Sequence, residues 1–598
     1  MGGQRTHQAV SRKECIMTIT RNEARHQFTR GAEIMRHEYG LYFSALFFSF
    51  MIALLTSVGT WVFTANAALS EDEGKITLGR IVAEFNVRTG KPADKVKMEF
   101  DRGELKRVYV LGASDLLEST QPEWVDIKRK LWWCFWFALA AGVGLFFLIN
   151  WVWRQFGKNV GKDVVIRGAI FAKAKDVIKE LERSGDASPI RLAGIPIPKG
   201  KETLNVGISG AIGTGKSQAI SSVLEDLRAT KQRAIIFDST GDYIKHFYRE
   251  GVDVILNPFD VRSPDWAPWN EARKPYDYAN LAESFIPIMN RREPFWEEGG
   301  QAVLEDLMSR LAKNGKATNR HLVQVVNTLT LKEIQEIVKN LPAAVYMDPD
   351  AAKTALGIRM NVVRAAKAMR YLSDGTPENQ FSIRDWVQDD SSDSWLFLST
   401  KEDMLATMRP LLTAWIDIAA RAIMSRKPNE SKQIWPIVDE LTSLNRISML
   451  TEAITRGRKY GMCCILGYQN IAQMRECYGD NDAQTIISQL RNRIALCVPD
   501  FQTAEYVSNN LGSQEIFEKD ENISYGQDST RDGVTISTSR EENVLVLPSE
   551  IQGLEDMHGY VRLAGRNEVM KIEFDYKKRA LVADPFIEKE EIPYALDE

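Results

Sequence analysis

Two long apolar stretches stand out near the amino terminus, at residues 41–63 and 131–153. Neither contains a charged residue, and each carries Trp or Tyr near its ends. A bilayer-spanning helix needs about 20 apolar residues, and aromatic side chains commonly mark the membrane interfaces. The pattern therefore predicts two transmembrane helices. It does not indicate buried core helices, which rarely lack charge for so long, or a cleaved signal peptide, which would start closer to the first residue.

Basic residues flank this pair of predicted spans and set its expected orientation. They are Arg21, Arg25, Arg30 and Arg36 before the first span, and Arg154, Lys158, Lys162 and Arg167 after the second. Because cytoplasmic flanks are enriched in Lys and Arg, we expect both termini to be cytoplasmic. Residues 1–40 would then be a cytoplasmic segment and residues 64–130 a small periplasmic segment with strand-like stretches. Basic residues 128–130 argue mildly for the reverse orientation. Residues 210–217, GAIGTGKS, decide for the first, because they fit a nucleotide-binding motif that requires cytoplasmic ATP.

From about Lys162 onward, short apolar runs alternate with helical patterns, which is typical of a parallel α/β sheet. The predicted strands are 205–209, 234–238, 252–256, 395–399, 434–438, 463–467 and 494–498. The gap between the third and fourth strands is too long for one crossover, and it carries helical periodicity. We therefore expect an α/β domain formed by residues 154–275 and 386–583, with an all-α domain inserted at 276–385. Residues 584–598 are expected to be an acidic tail, and its last part, IEKEEIPYALDE at 587–598, is expected to be flexible.

Composition narrows the possible classes of function. With 598 residues the chain is long enough for several domains, and a net charge of -4 excludes a protein coated in basic surface. Any contact with nucleic acid must therefore come from a local patch. The 6 cysteines follow no metal-ligand spacing, so a zinc site is not expected and the thiols are interpreted as reduced.

A phosphate-binding loop follows the first predicted strand. The residues that read GAIGTGKS are Gly210, Ala211, Ile212, Gly213, Thr214, Gly215, Lys216 and Ser217. They fit G-x-x-x-x-G-K-[ST] between a strand and a helical pattern, which is the context that the motif requires. In such a loop backbone N–H groups surround the phosphates. Lys216 would reach the β and γ phosphates of ATP, and Ser217 would ligate Mg²⁺.

A second motif supplies carboxylates. The apolar run IWPIVDEL, residues 434–441, places Asp439 and Glu440 at the end of a strand. Asp439 can hold Mg²⁺ through water, and Glu440 can polarise an attacking water. An acidic pair that closes a strand can also be a solvated turn, so the assignment depends on its pairing with the phosphate loop.

Three further residues have two interpretations each. Gln469 follows another apolar strand, where it can contact the γ-phosphate or its water, or be an ordinary loop residue. Arg458 is placed to reach the nucleotide of a neighbouring subunit, or to be a solvated helix-end charge. Asp238, in the sequence DSTGDY, can orient the site or simply cap the following turn.

Together these motifs resemble the type IV coupling proteins of bacterial conjugation, most closely their TraD-like branch. The resemblance rests on the two spans, GAIGTGKS, DSTGDY, ILNPFD, EPFWEEGGQAVLEDLM, FSIRDWV, WPIVDELTSL and TRGRKYGMCCILGYQN. It implies a RecA-like motor domain with an all-α domain at its cytoplasmic mouth, in a homohexameric ATPase of the bacterial inner membrane. Such a protein would receive the relaxase and relaxosome accessory proteins, contact the secretion channel and translocate single-stranded DNA.

The resemblance also assigns roles to individual residues. Lys216 and Ser217 match the phosphate loop of the family, and Asp439 and Glu440 match its second ATPase motif. Arg458 matches the arginine finger, and Gln469 matches the sensor glutamine. F-type relatives continue into a long C-terminal extension that docks the relaxosome, so the way in which this chain recognises its cargo is left open.

A candidate DNA-binding patch lies in the helical segment. On a helix expected from about 351 to 372, Lys353, Arg364, Lys367 and Arg370 fall within one arc. A solvated basic face would give the same pattern.

Two other functions also stay open. One is a membrane receptor for proteins that uses ATP as an assembly switch. The other is a DNA translocase like FtsK or HerA, although FtsK-type proteins typically carry more transmembrane spans.

Overall fold

The computed structural model describes residues 42–102, 105–160, 164–289, 292–374, 379–524 and 533–590. The chain forms two compact units that divide between residues 163 and 164. The predicted cytoplasmic segment 1–40, which includes Arg21, Arg25, Arg30 and Arg36, lies outside the described residues.

The first unit combines helices with one β-hairpin. Its helices are α1 (Tyr42–Ala68), α2 (Glu71–Arg88), α3 (Ala113–Ser119) and α4 (Gln121–Val160). The hairpin consists of β1 (Lys95–Arg102) and β2 (Leu105–Gly112), paired antiparallel, and it confirms the strand-like stretches expected between the spans. Helix α2 was not predicted. Ser70 and Glu73 form a capping box at its start.

Helices α1 and α4 contain the two apolar stretches and are longer than predicted. Both are long and apolar enough to cross a membrane by length and composition. Only 11% and 17% of their most apolar windows are buried, whereas a core helix of a soluble protein would be mostly covered. The two helices touch where side chains are small: the Ser57 hydroxyl donates to the carbonyl of Ala138 at 2.6 Å. Close approach at small residues is typical of helices that pack within membranes.

A ten-stranded sheet organises the second unit, in the order β4-β17-β16-β13-β7-β12-β11-β8-β10-β9. The strands of this unit are β3 (Val164–Gly168), β4 (Ile170–Ala172), β5 (Ala187–Leu192), β6 (Ile195–Pro198), β7 (Val206–Ser209), β8 (Arg233–Asp238), β9 (Val254–Leu256), β10 (Leu396–Ser399), β11 (Ile434–Val438), β12 (Ile465–Tyr468), β13 (Asn492–Ala495), β14 (Ser513–Ser524), β15 (Gly533–Val544), β16 (His558–Arg562) and β17 (Glu568–Glu573).

All of the strands predicted from the apolar runs lie side by side in this sheet, from β13 to β9, and every pairing among them is parallel. The antiparallel strands β16 and β17 extend the sheet beyond β13, and they were not predicted. A separate three-stranded sheet joins β3 to the long hairpin β14–β15, which was also missed.

Helices cover both faces of the sheet. They are α5 (Ala174–Ser184), α6 (Lys216–Ala229), α7 (Asp242–Phe247), α8 (Tyr276–Phe285), α9 (Phe295–Lys313), α10 (Asn319–Thr328), α11 (Leu331–Ile337), α12 (Ala343–Tyr346), α13 (Ala352–Ala366), α14 (Ile383–Gln388), α15 (Leu405–Met424), α16 (Leu450–Arg456), α17 (Ile471–Tyr478), α18 (Asp480–Gln489), α19 (Phe501–Leu511) and α20 (Pro548–Gln552). Successive side chains of β8 enter opposite cores, because residues alternate across a strand. Ile235 packs with one core and Ile236 with the other.

The segment between β9 and β10 is helical, as the periodicity predicted. Its helices α8 to α13 pack into the same hydrophobic core as one face of the sheet, which contains both Leu281 of α8 and Leu256 of β9. The helix expected over 351–372 is shorter, because α13 ends at Ala366 and a 3₁₀ turn follows at Met369–Tyr371. Ala368 and Met369 are fully buried at this break, so tertiary packing redirects the chain.

Residues 574–590 follow β17, and we call them the C-terminal strap. Lys577 and Arg579 contact Glu225 of α6, and the Val582 N–H donates to the carbonyl of Lys245 in α7. Further along, Glu588 forms an antiparallel bridge with Asp260. The expectation of flexibility from residue 587 is therefore wrong for residues 587–590. Residues 591–598 lie outside the described part of the chain.

Candidate nucleotide-binding site

The phosphate loop, residues 210–217, connects β7 to α6 at the edge where the parallel strands end, which we call the carboxyl edge. Lys216 is the first residue of α6, and Gly215 precedes it with a φ of 110°. This left-handed conformation favours glycine, and a Cβ there would also lie 2.7 Å from Met557 Sδ. The Thr214 hydroxyl donates to the carbonyl of Ala211 at 2.9 Å, which braces the loop. The loop therefore has the geometry that surrounds phosphates.

Asp439 follows β11, two strands from β7 in the sheet, and it faces the loop. Its Oδ2 accepts a hydrogen bond of 2.8 Å from the Ser217 hydroxyl and one of 3.0 Å from the Tyr243 hydroxyl. Asp439 Oδ1 is buried and has no hydrogen-bond partner among the described residues. A buried carboxylate oxygen without a donor is costly unless a cation satisfies it. Ser217 and Asp439 therefore fit the oxygen ligands that Mg²⁺ prefers.

Glu440 has both carboxylate oxygens engaged. Lys216 Nζ lies 3.1 Å from Oε2, and the Thr442 hydroxyl donates to Oε1 at 2.5 Å. The Lys216 side chain is almost fully buried, so its charge needs a counter-charge nearby. The ion pair with Glu440 supplies that counter-charge.

Gln469 lies at the same edge. It directly follows β12, which lies between β7 and β11, and it is half-buried. Because parallel strands end at one edge of a sheet, the structure brings Gln469 next to the phosphate loop and the carboxylate pair.

Arg458 lies at the opposite edge. It belongs to a 3₁₀ turn, Gly457–Tyr460, that precedes β12. Met462, just after this turn, forms a parallel β-bridge with Ile434, the first residue of β11. The turn therefore lies at the amino ends of both strands. The side chain of Arg458 is exposed, and the turn is anchored by Arg426, which donates to the carbonyl of Tyr460 at 3.2 Å. The structure therefore does not bring Arg458 to the phosphate loop of its own chain.

Asp238 caps the turn after β8. Its carboxylate accepts hydrogen bonds from the backbone N–H groups of Gly241, Tyr243 and Ile244, at 2.8–2.9 Å. Burial raises the pKa of this carboxyl to about 6, against the lowering effect of those N–H donors. The capping interpretation is confirmed, and the cap also fixes the helix that carries Tyr243.

The four predicted DNA-binding residues do not share one helix, which corrects the expected arc. Lys353 and Arg364 are exposed on α13. Lys367 follows the end of α13, and Arg370 lies half-buried in the 3₁₀ turn. Eleven residues at 3.6 per turn bring Lys353 and Arg364 back to the same helical face, about 16 Å apart.

Three site residues were missed by the sequence analysis. Tyr243 lies in the motif DSTGDY, where only Asp238 was singled out. Thr442 lies two positions after Glu440, and a hydroxyl at this spacing can reach the carboxylate, so the sequence did offer a signal for it. Met557 lies against the phosphate loop only because of tertiary folding, and its neighbours in sequence give no signal.

Comparison with known proteins identifies the family of this chain. A family described as the type IV secretion-system coupling protein DNA-binding domain matches residues 189–575. The coupling protein TraD of Escherichia coli K12 is 30% identical over 498 residues, which cover 81% of this chain and 68% of TraD. The conjugal transfer protein TraG of Rhizobium radiobacter is 25% identical over 257 residues, or 42% of this chain and 38% of TraG.

Solved structures of the plasmid coupling protein TrwB share the fold. Its complex with the non-hydrolysable ATP analogue ADPNP superposes with a TM-score of 0.64 at 27% identity, covering 71% of this chain and 98% of TrwB. Its complex with ADP and Mg²⁺ gives a TM-score of 0.64 at 27% identity, covering 72% and 98%. With a family match over more than half of its length and a nucleotide site of the corresponding fold, the chain belongs to the type IV secretion-system coupling proteins.

Proposed function

We propose that this protein is the coupling ATPase of a conjugation system, which uses ATP hydrolysis to move single-stranded DNA with its attached relaxase into a type IV secretion channel. The observation that carries the proposal is the convergence of two motifs at the carboxyl edge. Lys216 and Ser217 contact Glu440 and Asp439 across more than 200 residues of sequence. TrwB structures that hold an ATP analogue, or ADP with Mg²⁺, support ATP and Mg²⁺ as the nucleotide and the cofactor.

The phosphate loop binds the nucleotide. The N–H groups of residues 210–217 and the positive end of α6 attract the phosphates. Ser217 and Asp439 hold Mg²⁺, which when bound neutralises charge on the transferring phosphoryl group. Asp439 Oδ1, which accepts from no described protein donor, would be the carboxylate oxygen available to the ion, directly or through a water.

Glu440 polarises the attacking water, and its ion pair with Lys216 links this role to nucleotide binding. When phosphate oxygens enter the loop, they compete with Glu440 Oε2 for Lys216 Nζ. Release of Oε2 leaves it free to accept a hydrogen bond from water, while Thr442 still holds Oε1. Gln469, at the same edge, orients that water or the γ-phosphate.

Arg458 acts on the nucleotide of a neighbouring subunit in a homohexamer. Its place at the amino ends of β11 and β12 puts it across the sheet from its own loop, and its side chain is exposed. An arginine supplied by a neighbour couples hydrolysis to assembly of the ring.

DNA passes the helical segment, residues 276–385, which serves as an all-α domain at the cytoplasmic mouth. Lys353 and Arg364 present two positive charges on one exposed face of α13. Contacts of this kind neutralise the phosphates of the DNA backbone without reading its sequence. Lys367 and Arg370 add charge beyond the end of that helix.

Helices α1 and α4 anchor the protein in the bacterial inner membrane, with both termini cytoplasmic. The mostly exposed apolar surface of the two helices supports this role, because lipid would cover it. The hairpin β1–β2 and helices α2 and α3 then form the periplasmic segment, which contacts channel components. Relaxase and relaxosome accessory proteins are the cytoplasmic partners.

The test is ATP hydrolysis by the full-length protein in detergent or nanodiscs, with and without single-stranded DNA. We expect stimulation by DNA, and loss of hydrolysis and of DNA transfer in cells for Lys216→Ala, whose membrane insertion should be normal. A protein that hydrolyses ATP at the same rate with and without DNA, and still captures relaxase, would instead be a receptor that uses ATP as an assembly switch. Wild-type hydrolysis by Lys216→Ala would refute the assigned site.

A further inference from the structure

The motif DSTGDY forms a rigid connection between β8 and the nucleotide site. Gly241 adopts a φ of 77°, and Asp238 accepts the backbone N–H groups at the start of α7. The other end of α7 is also held, because the Lys245 carbonyl accepts from Val582 of the C-terminal strap. The helix that carries Tyr243 is therefore fixed at both ends.

Tyr243 turns its hydroxyl into the site. The residue is 4% exposed, and its ring packs in the hydrophobic core between the sheet and α6. A buried tyrosine hydroxyl needs a polar partner. Its partner is Asp439 Oδ2, at 3.0 Å, which is the oxygen that also accepts from Ser217.

The two hydroxyls that bind Asp439 differ in what they can do when Mg²⁺ is bound. Ser217 is itself a proposed ligand of the ion, so its hydroxyl would serve the ion as well as Asp439. Tyr243 is held by a fixed helix and a packed ring, so its hydrogen bond orients Asp439 in both states. With Oδ2 committed to these donors, Oδ1 is the oxygen left for the cation.

We propose that Tyr243 is a positioning residue for the Mg²⁺ site: its hydroxyl holds Asp439 by Oδ2 and thereby presents Oδ1 to the metal. This inference rests on the proposed function, because it assumes that Ser217 and Asp439 hold the Mg²⁺ of bound ATP. It assigns to the DSTGDY motif a role in the nucleotide site beyond the capping by Asp238.

The test compares Tyr243→Phe with wild type in the full-length protein, by titrating Mg²⁺ against the binding of a fluorescent methylanthraniloyl-ATP. The substitution removes one oxygen and keeps the ring. Losing a hydrogen bond to a charged group should raise the half-saturating Mg²⁺ concentration about 10-fold. Nucleotide binding in EDTA should stay unchanged.

Tyr248→Phe is the matched control, because Tyr248 follows the same helix and its ring lies by Arg262 and Phe397, outside the site.

A second variant separates positioning from a general loss of stability. In an Asp439→Asn background the metal ligand is already altered, so Tyr243→Phe should add little further effect on the Mg²⁺ titration. An equal further loss in that background would mean that the hydroxyl only stabilises the fold, and would overturn the proposal.

The remaining outcomes are distinguishable. If wild type binds the nucleotide with normal Mg²⁺ dependence and Tyr243→Phe matches it, the role of Tyr243 is wrong while the proposed ATPase stands. If wild type shows no Mg²⁺-dependent binding, the proposed function fails first, and the positioning role fails with it.

Discussion

Asp439 and Glu440 are neighbours in sequence, yet the structure gives their carboxylates different surroundings. Asp439 keeps one buried oxygen that accepts from no donor among the residues that the structure describes, whereas Glu440 has both oxygens engaged, by Lys216 and Thr442. The first arrangement suits a metal ligand, and the second suits a group that is released when phosphate binds. The side chains around the two carboxylates, and not their residue types, therefore support the different roles that we propose for them.

Glu440→Gln should retain nucleotide binding and lose turnover. The amide is nearly isosteric but cannot accept a proton from water, and general-base catalysis is commonly worth at least about 100-fold in rate. We therefore expect ATP hydrolysis to fall by about 100-fold or more while methylanthraniloyl-ATP still binds. A variant that binds no ATP would show that the roles of Asp439 and Glu440 are wrongly divided.

Arg458→Ala should lower hydrolysis by about 1000-fold or more, as expected for a missing arginine finger. Each subunit should still bind ATP, because Arg458 lies at the amino ends of the strands, across the sheet from its own phosphate loop. Subunits that carry Arg458→Ala, mixed with subunits that carry Lys216→Ala, should regain part of the activity. If mixed rings form but stay inactive, Arg458 does not act on the nucleotide of a neighbouring subunit and has only a structural role. Arg456→Ala is the matched control, because Arg456 lies two residues earlier, at the end of α16, and pairs with Glu452.

At the scale of elements, the C-terminal strap connects the two helices that build the nucleotide site. It contacts α6, which begins with Lys216, and α7, which carries Tyr243. Phe574, at the start of the strap, also lies 3.1 Å from the position of a Cβ on Gly215. The strap therefore fixes the positions of both helices relative to the phosphate loop.

Arg579→Ala should loosen this connection. Arg579 is almost fully buried and donates to both Glu225 and Gln218 of α6, at 2.8 and 2.6 Å. Loss of charge-assisted hydrogen bonds should cost about 2 kcal/mol, seen as a lower midpoint of thermal denaturation, and ATP should bind more weakly. Lys577→Ala is the control, because Lys577 is largely exposed and pairs with the same Glu225, so it should change stability by less than about 1 kcal/mol. Equal effects of the two substitutions would contradict a bracing role for the strap.

At the scale of the whole molecule, the chain divides into two units at residues 163 and 164. The second unit has its own sheet, cores and nucleotide site. The first unit carries the two mostly exposed apolar helices. Binding of ATP and assembly in a membrane can therefore be separated experimentally.

A protein that starts at Lys162 should be soluble and should bind ATP like the full chain. We expect it to assemble poorly, because membrane anchoring concentrates and orients the subunits. Analytical ultracentrifugation with and without ATP measures the assembly, and methylanthraniloyl-ATP measures the binding. Stable hexamers at low concentration would show that the second unit assembles without the anchor.

Much of the second unit could be predicted from local patterns. Buried parallel strands read as continuous apolar runs because helices cover both faces of the sheet, so the strands from β13 to β9 were found. The strands β16 and β17 pair antiparallel with each other and carry polar or charged residues in or beside short apolar runs, which gives a weaker signal. The expected helix over 351–372 failed because Ala368 and Met369 are drawn into the core, and helical periodicity alone cannot show that.

The sequence by itself determined the parts of this protein whose residues are contiguous: the apolar stretches, the phosphate loop and the acidic pair after β11. Their chemistry depends on spacing along the chain, so it can be recognised before folding. Only the tertiary structure decided that Tyr243 touches Asp439, that Arg458 lies across the sheet from its own loop, and that the strap braces α6 and α7. These relations join residues far apart in sequence, and they exist because the parallel strands align their carboxyl ends at one edge and their amino ends at the other.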